Sequence, residues 1–197
     1  MFIELTEILR CPNDHAESYV VAAPIAMDGR RIVRGVIGCP ECKAEFPIVH
    51  GVAYFGADPG AQACPPLPDY DVAALRAFLN LDGPGGYAAL VGSAARFGSE
   101  VAALLPGIHI VAVNPPAGVT PLPMLSLLVD PRGLPFKSAT LRAVALGADC
   151  AAVPWLADAA RVLLPGLRLV VEDERASPEG ISELARGAGL FVGMKDR

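Results

Sequence analysis

The chain has 197 residues, 53% of them hydrophobic and only 19% charged, with a net charge of −5 and a mean hydropathy of +0.43. That balance excludes a disordered chain, and 20 glycines with 19 prolines exclude a coiled coil or simple helical bundle. Residues 1–56 hold five basic and seven acidic side chains and the rest hold eleven and fourteen, so there is no direct nucleic-acid footprint.

The opening Met1-Phe2-Ile3-Glu4 has no basic region before an apolar run, which argues against a secretory signal and for a soluble, cytoplasmic protein. A short helix is expected over 5–10, ending at Cys11-Pro12. Asp28-Gly29 marks a hairpin turn before a Val/Ile-rich strand at 31–37, and another strand is expected over 44–49, before a turn at His50-Gly51. Residues 57–70, rich in Pro, Gly and Ala, read as a partly extended linker. The linker divides a cysteine-containing module at 1–56 from an alternating apolar module at 71–197.

The second module opens with helical spacing over 72–81 (Val72, Leu75, Phe78, Leu79). A buried strand at 87–91 leads through a small-residue turn to a helix bearing Val101, Leu104 and Leu105. Strands are expected at 108–113, at 125–129, which ends at Asp130, and at 141–146. The run 101–129 lacks formal charge and is long enough to span a bilayer, but Pro106, Pro115, Pro116, Pro121 and Pro123, with Asn114, break any continuous helix. Pro154 fits the first turn of a helix to Leu164, stopped by Pro165-Gly166. A strand at 167–171 follows. Ser177-Pro178 then caps a predicted helix with Ile181, Leu184, Ala185 and Ala188 on one side, and a short strand at 191–194 ends the chain. This alternation predicts an α/β fold, a parallel sheet with helices on both faces.

Five cysteines are present. Cys39-Pro40-Glu41-Cys42 has the spacing that brings two thiolates to one tetrahedral Zn2+. Cys11 supplies a third ligand, and the fourth is His15 or Asp14. Imidazole is the commoner structural zinc ligand, which favours Cys11, His15, Cys39 and Cys42. Asp14 stands at the i+3 position where a knuckle usually places its second ligand, and it remains the alternative. Such a site would be structural, stabilising a module too small for a large core. Cys64 and Cys150 read as small packing residues outside it.

The segment Met1-Phe2-Ile3-Glu4-Leu5-Thr6-Glu7-Ile8-Leu9-Arg10-Cys11 resembles the opening of the small zinc-binding activator subunit of tRNA, rRNA and release-factor methyltransferases. Cys39 to Phe46-Pro47-Ile48, continuing to Gly51-Val52, is similar to that family's closing knuckle and strand. The family's first knuckle usually has a second cysteine where this chain has Asp14-His15. Residues 71–197 are similar to class I S-adenosylmethionine-dependent methyltransferases in a short form. The likeness rests on Leu90-Val91-Gly92, Val111-Ala112-Val113-Asn114, the segment Asp130 to Phe136, and Arg161 to Val170. Together the two resemblances imply a zinc-ribbon-like activator module followed by a short Rossmann-like methyltransferase domain. They place Gly92, Ser93, Asn114 and Asp130 at the cofactor.

The departures from the second family bear on activity. Several glycines after the first strand let backbone approach the cofactor closely, but here Gly92 is followed by Ser93-Ala94-Ala95-Arg96-Phe97. The ribose acid is replaced by Asn114, a neutral group that cannot accept two charge-assisted hydrogen bonds. Asn114-Pro115-Pro116 resembles an amino-group methyltransferase signature but follows the second strand rather than the fourth, which makes it a turn. The segment after the fourth strand, 146–150, has no such signature, and Asp149 or Cys150 is read there as an ordinary strand-end residue. No Ser-His-Asp set or nucleophile elbow is present.

These features lead to a degenerate methyltransferase-like scaffold or complex subunit. It would hold structural Zn2+ and contact a protein partner or a second copy of itself, and S-adenosylmethionine is the cofactor that the second resemblance implies. Two alternatives are an active class I methyltransferase with a modified cofactor loop and an activator of another methyltransferase acting in trans.

Overall fold

The computed structural model describes residues 1–58 and 66–197. Cys64 and the middle of the 57–70 segment lie outside the described residues. A 3-10 turn at Ile3–Glu7 opens the chain, followed by a hairpin of β1 (Val21–Asp28) and β2 (Arg31–Gly38). Next come β3 (Glu45–Val49) and β4 (Val52–Tyr54), joined through His50 and Gly51 at φ +50° and +81°. Two left-handed residues in succession give a two-residue turn whose twist matches the strands.

Five strands then run parallel to one another: β5 (Tyr87–Val91), β6 (His109–Val113), β7 (Leu125–Val129), β8 (Leu141–Leu146) and β9 (Leu163–Val171). The last pair is β10 (Ile181–Gly187) and β11 (Leu190–Lys195), with β11 antiparallel to β9. All form a single sheet of order β1-β2-β3-β4-β7-β6-β5-β8-β9-β11-β10. The expected mixed α/β fold is thus present, with a large sheet that is parallel at its centre, from β4 to β9, and antiparallel toward both edges. β4 lies parallel to β7, Val52 opposite Leu127 and Tyr54 opposite Val129, so the N-terminal strands continue the sheet past β7.

The central strands are uninterrupted apolar runs because both of their faces are buried. Ala88, Leu90, Ile110 and Ala112 face α1 (Val72–Leu79) and α2 (Gly98–Leu104), meeting Leu75, Leu79 and Val101. Their neighbours Ala89, Val91, Val111 and Val113 face the other way, toward α3 (Val153–Val162) through Leu156, Ala159 and Val162. The N-terminal residues Leu5, Leu9, Phe46 and Phe55 belong to that second cluster, together with the fully buried Phe136. Burying one such aromatic side chain contributes about 2–3 kcal/mol. Among the described residues no helix is long and apolar enough to cross a membrane.

Two predicted helices take other forms. Over 5–10 the α-helix is replaced by the 3-10 turn and an extended passage. The Ile8 carbonyl accepts from Lys137 N–H and the Arg10 N–H donates to Pro135, so strand-like pairing with the sheet replaces helical bonds. The segment with Ile181, Leu184 and Ala185 is the edge strand β10. Gly180, at φ +71°, and Gly187, at +147°, bound the run, and β11 offers its backbone a ladder along one side. A short apolar run fits either period, and its tertiary partner decides. The Asn114-Pro115-Pro116 segment lies in the irregular β6–β7 connection.

Candidate functional site

The strands bring together two polar clusters. The first joins the loop after Arg10 to the β2–β3 turn. In that turn the Cys39 N–H donates to Ala44, the Lys43 N–H donates to Cys39, and Lys43 itself is left-handed at φ +61°. The folded-back chain presents Cys39 and Cys42 on one side. Cys11 and His15 come from the other, and the four ligand atoms all lie within 4.8 Å of one another. Cys11 Sγ is 3.7 Å from Cys42 Sγ, and His15 Nε2 is 3.5 Å from Cys39 Sγ. His15 Nδ1 is 2.8 Å from the Ala16 carbonyl, an outer bond that orients the ring and leaves Nε2 toward the sulfurs. Asp14 is exposed and is not one of the four.

The surroundings of the thiols differ. Burial pushes the Cys11 thiol up to about 12. Burial also pushes on Cys39, but the backbone N–H groups of Cys42 and Glu41 and the Ser18 hydroxyl outweigh it and bring that thiol down to about 6. The Ala44 N–H and the Asn13 amide lower Cys42. Three thiols and an imidazole at this separation fit a tetrahedral Zn2+ with no open position, a donor set for structure rather than for activating water.

The second cluster lies at the carboxyl ends of β5, β8 and β9. The chain passes from β5 outward through β6 and β7 and then returns to the other side of β5 as β8. In open α/β sheets ligands settle in the crevice at such a switch point. Here the chain's own groups fill it. Gly92, at φ +58°, starts a tight 3-10 turn, Gly92–Phe97. The Ser93 N–H donates to Asp149 Oδ1 at 2.8 Å and its hydroxyl to Glu172 Oε2 at 2.8 Å. Glu172, 4% exposed, also accepts from Tyr70 and Arg96, both at 2.5 Å, and from the Ala148 N–H at 3.1 Å. A Cβ on Gly92 would collide with the Asp149 carboxylate, and one on Gly147 with the Ser93 hydroxyl. The turns after β5 and β8 are therefore in direct contact.

The remaining cofactor candidates are occupied differently. Asn114, at φ +48°, donates through Nδ2 to the Asp130 carbonyl at 2.8 Å and accepts from the Asp130 N–H at 2.9 Å. Its amide ties the end of β6 to the end of β7. Asp130 is fully buried, and burial raises its carboxyl despite the Arg132 N–H and guanidinium on Oδ1. It faces a 40 Å3 cavity shared with Arg10, Pro12 and Asp158. A shallower cleft of about 220 Å3 lies between Val52, Tyr54, Leu127 and the 114–119 loop. Neither space is lined by the turns after β5 or β8.

Sequence reading brought out the four metal-cluster residues but missed Glu172, Arg96 and Tyr70. The one available signal was an acid directly after the apolar strand 167–171. Asn13 and Arg132, which connect the metal cluster to the strand ends, were not singled out, although Arg132 lies within the segment Asp130 to Phe136. His109 is buried, stacked 4.6 Å from the Phe2 ring, with Nε2 2.9 Å from Ser126 Oγ. Burial lowers its pKa to about 4, and it stands at the opposite end of β6 from both clusters.

No protein-family model matches the chain, and no curated protein does. Solved structures do. The antibiotic-resistance methyltransferase Kmr is 16% identical over 66% of this chain and 94% of its own, with a TM-score of 0.47. A chain of the complex between the Haloferax volcanii Trm112 methyltransferase activator and a methyltransferase is 15% identical over 63% and 88%, at 0.48. A Haemonchus contortus phosphoethanolamine N-methyltransferase, in complex with S-adenosylhomocysteine, is 15% identical over 51% and 27%, at 0.38. The structural neighbours are thus methyltransferases. None of these likenesses reaches a TM-score of 0.5, and the functional reading rests on the geometry of the two clusters.

Proposed function

We propose that this is a methyltransferase-like protein without methyl transfer, a scaffold or complex subunit whose residues 1–56 form a zinc-holding, activator-type module serving residues 71–197 in cis. The observation that carries the reading is the filled switch point. Ser93, Arg96, Tyr70, Asp149 and Glu172 satisfy one another where a cofactor's polar groups would need partners. Admitting S-adenosylmethionine would mean separating a buried carboxylate from its guanidinium, a cost of about 3–5 kcal/mol before any contact is gained.

Zn2+ at Cys11, His15, Cys39 and Cys42 would cross-link two loops of a module with little core of its own. Once all four ligands are engaged it offers no site for substrate. The module's service to its neighbour is strand addition: β4 pairs with β7 and covers that strand's edge. Val21, Ile25 and Met27 remain exposed on the outermost strand β1, which supports a protein partner or a second copy of the chain.

Titration calorimetry of the folded chain with S-adenosylmethionine and S-adenosylhomocysteine tests this. No heat at several temperatures is expected. Micromolar binding of either compound overturns the reading and makes the chain a candidate enzyme.

A further inference from the structure

The metal cluster is not confined to the N-terminal residues. Asn13, between the ligands Cys11 and His15, donates through Nδ2 to Cys42 Sγ at 3.3 Å. Its Oδ1 accepts from Arg132 Nη1 at 3.0 Å. The same guanidinium donates through Nη2 to the Phe55 carbonyl at 2.6 Å and through Nε to Asp130 Oδ1 at 3.1 Å. One planar group thus joins the metal loop, the chain just beyond β4 and the buried acid at the end of β7. From Asp130 the path continues through the paired Asn114 amide to the end of β6. The far side of the metal loop is also held from the large module, where Ser138 N–H and hydroxyl donate to Glu17 Oε2 at 2.9 and 3.0 Å.

We infer that Arg132 is a positioning residue of the metal centre, so that metal affinity depends on a side chain ninety residues beyond the last ligand, and metal loading in turn fixes the ends of β6 and β7. This rests on the reading of the cluster as a Zn2+ site. The physical reason is preorganisation. Cys11 and His15 come from an irregular loop whose ligands would be spread over many conformations without an outer anchor. Outer partners that orient ligands typically change metal affinity 10- to 100-fold. Arginine suits the post because its fork reaches three acceptors in one plane, which a lysine ammonium on a flexible stem cannot reproduce. Reciprocity follows from linkage: if Arg132 favours metal, metal must favour the Arg132 arrangement.

The test uses the full chain, Zn2+ and a chromophoric chelator. Arg132→Ala is expected to weaken Zn2+ about 10-fold or more, Arg132→Lys to recover little of it, and Asn13→Ala to weaken it similarly. Circular dichroism of the Zn2+-loaded variants checks that each is folded, and Asn13→Ala keeps the test alive should Arg132→Ala fail to fold. In the unaltered chain, withdrawing Zn2+ is expected to speed amide exchange at residues 130–136 and at 114. If the unaltered chain binds no Zn2+, the metal reading itself falls. If it binds Zn2+ and both Arg132→Ala and Asn13→Ala hold it within twofold of the unaltered chain, the site stands and the coupling is overturned.

Discussion

The metal cluster and the switch point are both polar constellations built where secondary structure ends, yet they are put together in opposite ways. At the first, four donor atoms from two chain segments converge on one point, with the Ala16 carbonyl behind His15 and with Asn13 reaching Cys42 while it accepts from Arg132. At the second, the bonds run inward: Glu172 takes hydrogen bonds from Tyr70, Ser93 and Arg96, and the two turns touch. A site arranged for a ligand leaves its donor atoms aimed at a shared point, whereas a filled site spends them on itself. Position in the fold alone would have favoured the switch point. The convergence of four ligand atoms on one point at the first cluster reverses that preference.

The largest effect expected is at the metal cluster. Elemental analysis should find one equivalent of Zn2+ in the unaltered chain and none in Cys39→Ser, whose melting temperature should fall steeply, since structural zinc contributes on the order of 10 kcal/mol. His15→Ala should weaken Zn2+ at least 10-fold while Asp14→Ala leaves it unchanged; the reverse result would exchange the fourth ligand. At the switch point, Glu172→Ala leaves Arg96 without its buried partner and should cost about 3 kcal/mol in denaturant unfolding. It should not create S-adenosylmethionine binding if the turns after β5 and β8 stay in contact, and binding gained by this variant would show that the network alone closes the crevice.

His109 provides a reference away from both clusters. Its folded pKa of about 4 lies below the ordinary 6.5, so the folded state binds fewer protons than the unfolded state between those values. Stability should be unaffected above 6.5 and fall as pH drops through that window, by up to about 3 kcal/mol at pH 4. His109→Phe should flatten this slope in urea midpoints measured across the range; an unchanged slope would place its origin elsewhere. The smallest change is Tyr70→Phe, which removes one hydrogen bond to Glu172 and should cost about 1–2 kcal/mol with no effect on Zn2+.

Much of the fold was legible in the sequence. The strands at 87–91, 125–129 and 141–146 were read at their observed limits because they are apolar runs bounded by turn residues, and burial on both faces demands that composition. The hairpin joining β1 and β2 was legible for a similar local reason, although its loop is Gly29-Arg30, one residue beyond the expected turn, and so was the spacing Cys39 to Cys42. The segment at 181–187 was misread because its apolar spacing suits a helix, while β11 offers a ladder that no local pattern announces.

The sequence by itself determined the class of the fold and the close spacing of Cys39 and Cys42, because each depends on residue type and short spacing. It left His15 and Asp14 as alternatives, since both lie within reach of the same loop. Only the tertiary structure brought His15 to the thiols and left Asp14 outside. Only it placed Glu172 against Ser93 across 79 residues and Arg132 against Asn13 across 119. Such pairs are made by the order of strands in the sheet, which brings together ends distant in the chain.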